Sequence, residues 1–84
     1  MVDLATSPSA PCRLDTLAVG GAARVVDVTG SDGVSLRLLE MGLTPGAGVR
    51  VVGRAPLGDP WELEVRGYRL SIRRAEAARV LIER

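Results

Sequence analysis

Histidine, lysine and phenylalanine are missing from this 84-residue chain, and cysteine occurs once, at Cys12. Each gap removes a class of chemistry. With no imidazole and a single thiol, no structural zinc site, catalytic Cys-His pair or intramolecular disulfide can be assembled. The hydroxyls of Ser31, Ser35 and Ser71 have no histidine base to activate them, and a core of small side chains leaves little room for two converging carboxylates. No catalytic residue is assigned, and no enzyme is expected. Gly20-Gly21 and Gly30-Ser31-Asp32-Gly33 lack both the Gly-Lys-Ser/Thr of a phosphate loop and the GxGxxG of a dinucleotide site. They read as turns, and no cofactor is expected.

Aromatic residues are almost as scarce, with Trp61 and Tyr68 the only two. Single-stranded nucleic acids are bound on aromatic stacking platforms, and proline-rich peptides in aromatic-lined grooves. Arg66, Arg69, Arg73 and Arg74 form a basic group that could meet phosphates but lacks those platforms, so nucleic acid is not an expected partner. Eleven arginines face ten acidic residues for a net charge of +1, which provides no uniform field for DNA or anionic lipid. No stretch approaches the roughly 18 to 20 apolar residues that span a bilayer. Met1 to Arg13 carries neither the basic nor the apolar block of a signal peptide. The expected location is the cytoplasm, without direct membrane insertion.

What the chain does contain is aliphatic. Its composition, 46% hydrophobic and 25% charged, is that of a globular domain, and its length allows one. A core of Val, Leu, Ile and Ala favours a tight barrel over an open cavity. Residues 1 to 13 read as a flexible tail without periodicity, and the domain as 14 to 84, with Leu14 and Leu17 as apolar plugs before a strand from Ala22 to Thr29.

Ser31 or Asp32 can cap a helix running from about Gly33 to Met41. Gly42 stands where a left-handed residue ends it, and Pro45-Gly46 suits a type II turn. The helix bears two apolar stripes: Val34, Leu38 and Met41, expected to face inward, and Leu36 and Leu39, continued by Leu43, with Leu36 exposed.

A second strand covers Val49 to Ala55 and stops at Pro56. Leu57-Gly58-Asp59-Pro60 is a hairpin tip, and Trp61 to Arg66 alternates with Trp61, Leu63 and Val65 inward. Gly67-Tyr68 has the form of a type II′ turn, which would set Leu63 opposite Ile72 and Glu62 opposite Arg73. A helical turn from Arg74 to Ala78 precedes a last strand, Arg79 to Glu83. The carboxylates Asp59, Glu62 and Glu64 are the one hard-cation cluster on offer, and they read better as an exposed strand face paired with Arg73. No metal ligand is assigned.

Three segments, Leu38 to Gly46, Ala55-Pro56-Leu57-Gly58-Asp59-Pro60, and Leu70 to Arg74 with Glu76-Ala77, together resemble the FeoA family of small proteins that accompany the ferrous iron transporter FeoB. The likeness spans about Leu14 to Glu83. It implies an all-β fold, an SH3-like barrel of about five strands with a short helix inserted after the first, in keeping with the element order read above. It also implies a non-catalytic accessory role in ferrous iron uptake, regulating and docking on the cytoplasmic portion of the FeoB membrane GTPase. Transition metal ion binding is a family term that no residue here supports.

The expected partner-binding residues are Leu36, Leu39, Met41, Leu43 and Pro45 on the helix edge and Leu57 and Asp59 at the tip. The alternative is a freestanding repressor-type SH3-like module that binds a peptide or protein in metal-dependent regulation. The residues fix no oligomeric state.

Overall fold

The computed structural model describes residues 11 to 84. The tail expected over residues 1 to 13 lies outside the described residues as far as residue 10. Its last two residues are not tail: Cys12–Arg13 form strand β1, pairing Cys12 with Ile82 and Arg13 with Leu81. A 3₁₀ turn, Leu14–Thr16, leads into β2 (Ala22–Val28), α1 (Gly33–Glu40), β3 (Gly48–Arg54), β4 (Trp61–Val65), β5 (Tyr68–Ile72), α2 (Arg74–Ala77) and β6 (Val80–Glu83). The six strands form one antiparallel sheet in the order β1-β6-β2-β3-β4-β5. The fold is therefore all-β with one short inserted helix, as the sequence implies, and β1 is the strand beyond the expected five.

One core explains the alternation. Val49 and Val51 of β3, Trp61, Leu63 and Val65 of β4, Ile72 of β5, and Val80 and Ile82 of β6 belong to a single buried cluster. Strict alternation fails on β2, where Val25 and Val28 are both buried three residues apart. The register shifts between Val25 and Asp27, so a bulge absorbs one residue and returns Val28 to the inner face. Leu14 and Leu17 are buried beneath the sheet, as plugs should be, and the 3₁₀ turn packs against α2 and β6.

The β4–β5 hairpin differs from its expected register. Val65 pairs with Tyr68, Leu63 with Leu70 and Glu62 with Ser71, so the two loop residues are Arg66 and Gly67. Both have positive φ, 54° and 83°, as a type I′ turn requires. The signal was obscured because arginine rarely occupies that region. The shift is of two residues, so the inward set survives. Glu62 meets Ser71 instead of Arg73, and Glu64 is held by Arg50 at 2.9 Å.

Candidate functional site

The helix that carries Leu36 and Leu39 of the expected site is fixed at both ends. Asp32 is its N-cap, accepting the Ser35 N–H at 3.2 Å. Arg79 Nη1 reaches the same carboxylate at 2.6 Å, and the buried Ser35 hydroxyl donates to the Thr29 carbonyl at 2.5 Å. Asp32, Ser35 and Arg79 thus tie the start of α1 to the loop before β6. At the other end, the Leu43 N–H bonds the Leu38 carbonyl and the Gly42 N–H bonds the Leu39 carbonyl, with Gly42 at φ 110°. This is a Schellman motif, which characteristically brings the residue after the glycine onto the helix's last inward residue. Leu38 and Leu43 are accordingly both fully buried.

That motif corrects one expected contact. Leu43 is core and cannot meet a partner; the apolar residue following Gly42 was the signal that could have placed it. Leu36 is 58% exposed, Leu39 and Met41 are half-buried, and Pro45 lies exposed in the Thr44–Ala47 turn. Val34 and Met41, expected inward, are also only half-buried. Leu57 stands 96% exposed at the tip. The structure divides these residues between two hollows. Leu36 and Leu39 border a depression with Gly30 to Gly33 and Ser35. Met41 and Asp59 instead share a cleft of about 380 Å³ with Arg37, Pro60, Ser71, Ile72, Arg73 and Glu76. Pro45 and Leu57 join neither.

The cleft is where the inserted helix, the tip and the end of β5 meet, and each wall is braced. The tip is closed by the Gly58 N–H on the Ala55 carbonyl and the Ala55 N–H on the Pro60 carbonyl. The Trp61 indole donates to the Gly58 carbonyl at 3.0 Å under the Arg54 guanidinium. Asp59 Oδ1 accepts the Arg74 N–H at 3.0 Å, and Glu76 Oε1 accepts the Arg73 N–H at 2.8 Å, so two carboxylates satisfy the first turn of α2. Glu76 also pairs with Arg37 across the cleft. Sequence reasoning missed Arg37, Ser71 and Glu76, whose meeting depends on three separate segments. Arg73 has no ion-pair partner among the described residues.

The arrangement is suited to contact. Among the described residues no three His, Cys, Asp or Glu side chains converge as a metal site would require: Glu64 is engaged by Arg50 and Asp59 by the α2 backbone. No helix is long and apolar enough to cross a membrane among those residues.

Comparison with known proteins agrees with this architecture. The FeoA domain family model matches residues 12–84. The Fe(2+) transport protein A/Fe(2+) transporter FeoB fusion protein of Porphyromonas gingivalis is 39% identical over 71 residues, spanning 84% of this chain and 8% of that relative. A FeoA-like protein of Clostridium acetobutylicum superposes with a TM-score of 0.81 at 32% identity, over 87% of this chain and 85% of its own. The FeoA of Stenotrophomonas maltophilia, described as a prokaryotic SH3 domain protein and crystallised with zinc, gives 0.75 at 32% identity, over 84% and 88%.

Proposed function

Because the chain belongs to the FeoA family, we propose that it is a non-catalytic accessory protein of ferrous iron uptake that docks on the cytoplasmic portion of the transporter FeoB. The fusion carries this reading: in the Porphyromonas gingivalis relative, a segment like this chain is continuous with the transporter. Joining two modules raises their effective concentration to the millimolar range, an advantage when their surfaces engage each other. Iron is then the transporter's cargo, and this chain's contribution is a surface.

The docking face centres on the cleft holding Met41 and Asp59, with Leu57 projecting beside it and Leu36, Leu39 and Pro45 at the periphery. A leucine 96% exposed on a tip whose backbone is braced offers apolar surface that a partner covers without first ordering the loop.

The test is a titration of the purified cytoplasmic portion of FeoB with this protein, with and without guanine nucleotide. Leu57→Asp leaves the fold intact and weakens binding about tenfold or more, the loss of a contact of ~1.4 kcal/mol. An unchanged affinity for the folded variant would remove the tip from the interface. Absence of binding in every nucleotide state would overturn the docking reading itself.

A further inference from the structure

We infer that the free edge of β5 accepts an extended segment of a partner protein as an added strand, and that this segment alternates acidic and apolar residues. The inference deepens the docking reading, on which it rests for the partner's identity but not for its chemistry.

Strand β5 ends the sheet, since its one ladder is with β4. In an antiparallel hairpin with a two-residue turn, the pair flanking the turn is hydrogen-bonded, and every second pair thereafter. Tyr68, Leu70 and Ile72 therefore direct their backbone groups at β4, whereas Arg69 and Ser71 direct theirs outward. Neither Arg69 nor Ser71 makes a further backbone hydrogen bond among the described residues. The cleft meets the end of this edge at Ser71, Ile72 and Arg73, facing Arg37 and Met41 of the α1 end, and its two carboxylates, Asp59 and Glu76, are already engaged by the Arg74 N–H and by Arg37. A strand laid there would complete a row of main-chain hydrogen bonds, and its side chains would alternate between the two faces of the sheet.

Charge selects the occupant. On the outer face, Glu64 lies between Arg50 and Arg69 and bonds Arg50. Arg69 is thereby left without an ion pair, and Arg73 just beyond β5 has none either among the described residues. Outward side chains of an incoming strand meet these two arginines, and inward ones meet Ile72 and Met41. A second copy of this chain pairing through β5 would set arginine against arginine, which disfavours a homodimer.

The experiment uses the full chain and a synthetic peptide of about six residues alternating Glu and Leu, a typical strand length, with binding followed by amide chemical shifts. Saturable binding centred on β5, weakened roughly three- to tenfold by Arg73→Glu, is expected. N-methylation of the peptide at the alternate residues whose N–H groups face β5 abolishes binding, and methylation at the other set does not. Equal loss from both sets, shifts away from β5, or equal affinity for an alternating Lys and Leu peptide would each overturn the inference. Ser71→Pro separates it from the docking reading, because proline at an outward-facing edge position spares the β4 ladder. If folded Ser71→Pro binds the FeoB portion as the parent does, docking stands and strand addition falls. If the acidic peptide binds β5 and the FeoB portion does not bind, strand addition stands and its assignment to FeoB falls.

Discussion

Asp32 shows how much one side chain organises here. Its carboxyl is held at about 2, below the usual 3.8, first by the hydrogen bond from Arg79 and then by that from the Ser35 N–H. A depressed carboxylate contributes stability that is complete above its unfolded-state value and is lost as pH falls through the folded one. The contribution of Asp32 is thus present above about pH 4 and disappears between there and pH 2. Asparagine caps helices as well as aspartate does, so Asp32→Asn isolates the charge from the cap. The variant melts below the parent at neutral pH, and the gap between their Tm values closes as pH is lowered toward 2. A gap independent of pH would mean that Arg79 contributes nothing through charge. The group is solvent-screened, so the gap is small.

At the scale of elements, the β4–β5 hairpin positions the free edge, and its turn chemistry is open to test. Gly67 at φ 83° admits a Cβ only with strain, so Gly67→Ala lowers stability by about 1 to 2 kcal/mol. Arg66→Asn places a residue suited to positive φ in the other turn position and gives up only the exposed Arg66 to Thr44 hydrogen bond, a net change within about 0.5 kcal/mol. Urea midpoints with unchanged slopes measure both, and a silent Gly67→Ala would exclude the type I′ turn.

The same hairpin marks where sequence reading runs out. Alternation made β4 plain, and the Asp32 cap and Gly42 stop bounded α1, because those signals are local. The hairpin register depended on an arginine accepting left-handed backbone, against its preference. The pairing of Cys12–Arg13 depended on β6, some seventy residues away. The candidate site was legible only in its parts: Leu57 and Leu36 as exposed leucines were, while the cleft was not, since residues 37 to 41, 59 to 60 and 71 to 76 converge only once the sheet has formed. Leu43 was misplaced because a helical stripe was extended past the glycine that ends the helix.

For the molecule as a whole, one cluster of buried side chains includes residues from the 3₁₀ turn, both helices and every strand but β1. A chain of this length has about 4 to 13 kcal/mol of total stability at typical per-residue values, too little to support parts that unfold separately. Preorganisation of the proposed docking face therefore depends on global stability, and damage far from the cleft should reach it. Ile82 on β6 is fully buried and is separated by two intervening strands from β4, which carries the single tryptophan. Ile82→Ala should cost about 2 to 5 kcal/mol, and Trp61 fluorescence and far-UV circular dichroism should report the same shifted transition, as two-state unfolding requires. Partner binding should persist at low temperature and vanish along that transition. If Trp61 kept its parent midpoint while the dichroism shifted, the tip and cleft would form a unit independent of β6, and binding would survive loss of the opposite side of the sheet.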